Sequence, residues 1–429
     1  MDMIDKSRVA VLSRRHALQW LGVGMMGGAV SACGGGGSGS GSGGSASGAG
    51  AGLVSLPTPT PTSVPTPAPT PAVAAIDESA LKLWELAQRR GLMFGSPYVE
   101  YRFAPLPGPG GVGTLADFVR DQSSLYVNVG LIPQTVEWTA GYYNMSYFND
   151  TLAATTAHGK MWRGHCLLYP LADSSSVQAT VNAGNWRSMI TRHFEAIAAT
   201  PGAQSATNLD VTNEVMDPSD MAGTNGYRPN HWLAAAGPDY LLHAYQEARR
   251  LWPSTPLYWC HDQTEQLLGS WHQQMAAVNL RAIERVKNGG GSIDGYNMQG
   301  HLSIRLGFDP ARLKAYLTDL TSNLGLKIMI GELDCRTGYS AIHTDTPTPE
   351  SYVPADLDRT SADLVERFLD VALPFVQSSG RQLVCWGLSD VYDPWSTNQA
   401  ERPMPWDENY QKRPMWSAIQ RSLMRLPQL

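Results

Sequence analysis

Between residues 76 and 429, short apolar or β-rich runs recur eight times, alternating with stretches of helical spacing. The runs fall at 92–95, 125–130, 161–165, 208–213, 256–260, 293–299, 327–332 and 383–388. The helical stretches fall at 78–90, 114–122, 144–158, 185–199, 238–251, 267–287, 310–324 and 360–379. Apolar spacing is clearest at Leu81, Leu83, Trp84, Leu86 and Ala87, and again at Leu364, Val365, Phe368, Leu369 and Val371. Pro253 and Gly325 punctuate helix-to-strand turns. Eight alternations over this length predict an α/β fold, a (β/α)8 TIM barrel rather than an open sheet. No Gly-rich phosphate loop opens any of these helices, which disfavours a nucleotide fold.

Residues 1–75 stand apart from that pattern. A basic start (Lys6, Arg8, then paired Arg14 and Arg15) leads into an apolar stretch at 17–30. The stretch is too short to span a bilayer and suits a signal peptide, and the Arg pair marks a twin-arginine export signal. V-S-A-C at 30–33 resembles a bacterial lipobox, so residues 1–33 read as a lipoprotein leader with Cys33 as the lipidated residue. A Gly/Ser tract at 34–53 and a Pro/Thr tract at 57–71 follow, with no charged residue between Cys33 and Asp77. Neither can bury enough apolar surface to fold. The first is a flexible coil of roughly 25 Å mean span, the second a stiffer spacer of about 45 Å. The expected organisation is a leader (1–33), a linker (34–75) and a catalytic barrel (76–429). It places the protein on a membrane through its lipid, facing the periplasm or the cell surface, with an ordinary secreted or periplasmic form as the alternative.

The clustering also explains the composition. Residues 1–75 hold 15 of the 42 Gly and 7 of the 29 Pro, and the remainder has ordinary globular usage. They hold 4 basic and 2 acidic residues, which leaves 28 basic against 36 acidic for the barrel. An acidic domain argues against a nucleic-acid partner. Thirteen Trp and 17 Tyr against 8 Phe supply aromatic surfaces with polar handles, suited to a neutral polysaccharide.

In such a barrel, chemistry gathers where strands end. The fourth run ends N-L-D-V-T-N-E at Glu214, and the seventh, K-I-M-I-G-E-L-D, carries Glu332 and Asp334. The sixth ends N-M-Q-G-H with Gln299 and His301, and the third ends R-G-H with His165. A carboxylate at a barrel strand end is costly to desolvate unless paired or functional. Two of them on opposed strands are the minimal set for glycosidic cleavage: one protonates the leaving oxygen, the other attacks or activates water. A buried Glu is also often a structural ion pair, and His165 and His301 taken singly fit packing roles.

Taken together, D-V-T-N-E (210–214), G-E-L-D (331–334), I-D-G-Y-N-M-Q-G-H-L (293–302), R-G-H-C-L-L-Y (163–169), L-V-C-W-G-L-S-D (383–390) and D-E-N-Y-Q-K-R-P (407–414) resemble segments of glycoside hydrolase family ten, the retaining endo-β-1,4-xylanases. The resemblance covers nearly all of 76–429, in order. It implies hydrolysis of xylan without a cofactor, by a chain acting as a monomer. It implies Glu214 as acid/base and Glu332 as nucleophile, with the two carboxyls about 5–5.5 Å apart. Asn213 would bond the sugar 2-hydroxyl, His301 and Asp334 would orient Glu332, and Gln299, His165, Trp386, Trp395 and Trp138 would shape the sugar site.

The departures are local. In I-P-Q-T-V-E-W (132–138), Trp138 matches the family, but Glu137 stands where Lys is expected and Gln134 near the expected Asn. An acceptor in place of a cationic donor is expected to remove, and partly invert, the second glycone contact. Tyr169 stands where Trp is usual, and L-Y-W-C-H-D-Q (257–263) departs from the usual Asn-Asp-Tyr. These changes keep open a β-glycanase of other sugar specificity, or a surface glycan-binding lipoprotein without turnover. A metal hydrolase using His165, His301 and Asp334 lacks paired His ligands on one element, and no metal is expected. Cys166, Cys260, Cys335 and Cys385 allow three pairings or free buried thiols, and their spacing does not suggest zinc.

Overall fold

A computed structural model of the chain describes residues 77–98, 114–337, 354–391 and 401–429. The leader, the linker, Cys33 and Trp395 lie outside the described residues. Among the described residues nine strands occur: β1 (Met93–Pro97), β2 (Leu125–Asn128), β3 (Met161–Gly164), β4 (Leu209–Asn213), β5 (Leu257–His261), β6 (Gly295–Met298), β7 (His301–Ser303), β8 (Lys327–Arg336) and β9 (Gln382–Cys385). All pair in parallel, in the order β1-β2-β3-β4-β5-β6-β8-β9. Met93↔Gln382 then joins β9 back to β1 and closes an eight-stranded barrel. The ninth strand, β7, lies outside the ring and pairs only with the extended end of β8, His301 opposite Asp334.

After α1 (Leu83–Arg89), one long helix follows each barrel strand: α2 (Leu115–Gln122), α3 (Ser146–His158), α4 (Trp186–Ala198), α5 (Asp239–Leu251), α6 (Ser270–Asn288), α7 (Pro310–Thr318), α8 (Pro354–Ser378) and α9 (Pro414–Arg425). The barrel and all eight expected runs are therefore present. Two elements, β7 and α9, have no counterpart among the expected runs and stretches, and α8 begins at Pro354, ahead of the expected 360. Local chemistry sets the boundaries. Thr114 and Asp117 form a reciprocal capping box on α2. Asp309 caps α7 ahead of Pro310, and Gly159 ends α3 in the left-handed conformation.

Side chains alternate across the strands. Leu125, Val127 and Val384 form a small inner cluster with Met93 and Trp386. Their neighbours Tyr126, Leu383 and Cys385 belong to the larger core between strands and helices. Each buried aliphatic side chain there contributes about 1.5–3 kcal/mol. Trp252 is buried, and Trp84 and Trp186 pack on the same core, as their helical positions imply. The four described cysteines are buried free thiols, which resolves the choice between pairing and reduction. No helix among the described residues is long and apolar enough to cross a membrane.

Candidate active site

The residues singled out from the sequence converge at the carboxyl ends of the strands. The strand ladder continues through them: Glu214 N–H donates to the Cys260 carbonyl (3.1 Å), Gln299 to His261 (3.2 Å), Glu332 to Gln299 (2.8 Å) and Trp386 to Leu333 (3.0 Å). Backbone bonds of this kind hold catalytic groups to the precision that chemistry needs. Gly331, just before Glu332, has its own reason. A Cβ there would meet the Asn297 amide at 2.1 Å, so only glycine lets that amide lie beside the strand that carries Glu332. Glu214 itself has φ of 52°, a left-handed backbone in a non-glycine residue and a strain that concentrates at functional sites.

The two carboxyls stand in opposite surroundings. Glu332 is 3% exposed and faces donors. His301 Nε2 lies 3.2 Å from Oε2, while the Cys260 thiol (3.6 Å) and His165 Nε2 (3.5 Å) face Oε1. His301 Nδ1 is 2.9 Å from Asp334. Burial works to lower the pKa of His301, but the Asp334 and Glu332 carboxylates outweigh it and raise that pKa well above the usual value. A protonated His301 donates to both acids and orients Glu332.

Glu214 instead has its pKa raised, first by burial and then by the Asp262 carboxylate, against the opposing Arg228 charge and a Gln299 hydrogen bond. Tyr169 Oη donates to its Oε2 (2.9 Å) and Gln299 Nε2 to its Oε1 (3.0 Å). Gln299 Nε2 also reaches Asn213 Oδ1 (3.1 Å), so the three expected neighbours form one unit. One carboxyl is thus biased toward its acid form while the other is ringed by donors, the division of labour that glycosidic cleavage requires.

Behind this pair lies a layer of buried polar residues to which the family-like segments alone assign no role. Asp210 accepts from His165 Nδ1 (2.7 Å), Asn297 Nδ2 (3.0 Å) and the Arg163 guanidinium. Burial works to raise the pKa of Asp210, and the Arg163 charge with the His165 bond brings it below the usual range. His261 accepts the Met216 N–H on Nε2 (3.0 Å), so its ring proton sits on Nδ1, facing Asp262 (3.1 Å to Oδ1). Asp210, Arg163 and Asn297 sit inside family-like segments, which was the available signal. Asp262 keeps the middle position of the usual Asn-Asp-Tyr, with His261 and Gln263 in place of its neighbours.

The aromatic residues divide. Trp386 is partly buried, edge-on to His165 at 5.3 Å between ring centres. Trp138 is 54% exposed and presents a free face. Glu137 corrects the expectation placed on it. It is fully buried, Oε1 accepts the Gly141 N–H (2.5 Å), and Oε2 lies 3.4 Å from His193 Nδ1 on α4. His193 Nε2 in turn donates to the Leu131 carbonyl (2.8 Å). The carboxylate therefore faces away from solvent and ties down the loop that carries Trp138; it offers a sugar no inverted contact. Glu137→Lys, which restores the family residue, is expected to cost about 3 kcal/mol by burying an unpaired ammonium. Urea unfolding measures it, and an unchanged midpoint would show that the side chain turns outward.

The chain is similar to several known proteins. The family model for glycosyl hydrolase family 10 matches residues 124–422. Endo-1,4-beta-xylanase A of Cellvibrio japonicus (strain Ueda107) is 28% identical over 301 residues, 65% of this chain. The match covers 47% of that protein, so the chain spans about half its length. Endo-1,4-beta-xylanase 1 of Humicola insolens is 25% identical over 363 residues, covering 81% of this chain and 76% of that one. Exoglucanase XynX of Acetivibrio thermocellus is 25% identical over 299 residues, covering 67% and 25%. Among solved structures, xylanase B from Clostridium stercorarium F9 superposes with a TM-score of 0.66 at 19% identity, covering 79% of this chain and 98% of that one.

Proposed function

From the premise that the chain belongs to glycosyl hydrolase family 10, we propose that it is a retaining endo-β-1,4-xylanase acting by double displacement. The observation that carries the reading is the opposed setting of the two carboxyls. Glu214, biased toward its neutral form, protonates the leaving oxygen while Glu332 attacks the anomeric carbon. Glu214, now deprotonated, then activates the water that releases the glycosyl-enzyme. His301 and Asp334 orient the nucleophile; Asn213 and Gln299 address the sugar at the cleaved site. Trp386 and His165 wall that site, Trp138 offers a stacking face beyond it, and Trp395 would close it from the last loop. No step draws on a cofactor.

Product analysis on linear xylo-oligosaccharides tests the reading. Internal cleavage is expected, with the β-anomer formed first; release of the α-anomer or no cleavage would reject it. A second reading, a retaining β-glycanase of different sugar preference, is favoured by the inward turn of Glu137 and by Tyr169 on the acid/base. Faster initial rates on a β-glucan than on xylan would select it.

The proposal extends to location. Residues 1–33 would direct twin-arginine export, lipid on Cys33 would hold the protein to a membrane, and 34–75 would let a monomeric barrel reach polymer. Cys33→Ser is expected to move the protein from the membrane fraction to the soluble one. Unchanged fractionation would exclude the anchor.

A further inference from the structure

Three ligand types meet at one point in this site: the imidazole of His165, the thiol of Cys260 and the carboxylate of Glu332. Nε2, Sγ and a carboxylate oxygen lie within 4.8 Å of one another, and all three residues are buried. His165 Nε2 to Glu332 Oε1 is 3.5 Å, and Cys260 Sγ to the same oxygen is 3.6 Å. A tetrahedral cation bound at about 2.0–2.3 Å separates its ligands by roughly 3.3–3.8 Å. Two edges of such a site are therefore already formed, and closing the third needs a shift of at most about 1 Å.

The second observation is independent of those distances. Each of the three ligands has an outer partner of the kind metal sites use. Asp210 holds His165 Nδ1 (2.7 Å), which turns Nε2 toward the common point. Asn297 Nδ2 donates to Cys260 Sγ (3.2 Å) and fixes the position of the sulfur. His301 holds the other oxygen of Glu332 (3.2 Å) and leaves Oε1 for a cation. Asn297 also donates to Asp210 (3.0 Å), so the outer layer is continuous.

We propose that His165, Cys260 and Glu332 form an inhibitory site for a borderline-soft divalent cation of the zinc and cadmium class, which engages the nucleophile and stops turnover. The donor set selects that class. A thiolate with an imidazole suits zinc or cadmium, whereas magnesium and calcium want oxygen ligands alone. Binding sends one proton from Cys260 Sγ to solvent, with a second from His165 where the imidazole starts protonated. The charge of Glu332 and the thiolate then balances the cation. The cation is a regulator and takes no part in hydrolysis. The kinetic half of the proposal rests on Glu332 as nucleophile; the binding half does not.

Cadmium chloride added to the full chain tests both halves. Ultraviolet thiolate-to-cadmium absorption reads binding, and hydrolysis of an aryl xyloside reads turnover. We expect saturation at micromolar cadmium, loss of activity with the same midpoint, recovery with excess chelator, and no effect of magnesium chloride. Cys260→Ser is expected to remove one equivalent of the absorption and to raise the inhibition midpoint about 100-fold. Cys335→Ser, a buried thiol elsewhere on β8, is expected to keep the wild-type midpoint. Inhibition and absorption unchanged in Cys260→Ser, or no thiolate-to-cadmium absorption below millimolar cadmium, would overturn the site. Binding lost in Cys260→Ser without any effect of cadmium on the wild-type rate would instead overturn the nucleophile assignment.

Discussion

Glu332→Ala is expected to lower kcat on xylan by about 10,000-fold or more, because no other group can supply the covalent half of the reaction. The lesion is specific in a way that misfolding is not. With a small anion such as azide added, the cavity left by the carboxylate admits an external nucleophile on the same face. A single displacement then replaces two, and an aryl xyloside gives the α-configured xylosyl azide. Circular dichroism and the unfolding midpoint should stay near wild type, since Glu332 touches the site and not the larger core. Retained hydrolysis, or a β-configured azide product, would remove Glu332 from the nucleophile role. Glu332 is surrounded by His301, Cys260 and His165, so its loss also leaves donors without an acceptor. Glu332→Gln separates that effect from the chemistry: it keeps shape and an acceptor oxygen, and it should be just as inactive.

Glu214→Ala has a different signature. Acid catalysis contributes about 100- to 10,000-fold, so turnover of xylan is expected to fall by that amount. An aryl xyloside whose phenol leaves readily needs no proton. It should form the glycosyl-enzyme at near wild-type speed and then stall, because the base for the second step is also gone. Azide should rescue that stall and yield the β-configured product. The pH profile supplies an independent readout. Burial and Asp262 raise the pKa of Glu214, so its proton is kept to higher pH than an ordinary glutamate keeps it. Activity is then present below the raised pKa and lost as pH rises through it, which makes Glu214 the alkaline limb. That limb should vanish in Glu214→Ala on the aryl substrate. An unchanged limb would assign it to another group.

The parts of the molecule that could be read from sequence share a physical cause. Barrel strands buried on both faces are near-continuous apolar runs, and a carboxylate at the end of such a run stands out. Lys327–Arg336 shows it: the run from Ile328 to Ile330 is buried, and Glu332 and Asp334 follow. What escaped was orientation. Glu137 sits at the family's Lys position, yet its side chain faces α4 and His193, and no residue type in 132–138 says so. Helix α9 escaped because its apolar positions are interleaved with Arg421 and Arg425, which reach back to Glu366 and Asp370 on α8. Asp210 escaped because its importance lies in partners from other strands, Arg163 and Asn297, which only closure of the ring brings together.

The seam of that ring bears on how the protein is made. The segments flanking the first and last strands are fastened to each other. Arg90 donates to the Leu423 carbonyl (3.1 Å), Gln420 to the Ser79 carbonyl (2.9 Å), and Gln428 to Glu78 (2.9 Å) across 350 residues of sequence. Bringing such distant segments together costs roughly 5 kcal/mol of chain entropy, and little of it is recovered until β9 docks against β1. During synthesis, then, β1 waits with one edge unpaired until β9 has emerged from the ribosome. A truncation ahead of β9 leaves an open sheet with an exposed edge, which is a template for aggregation and not merely a weaker barrel.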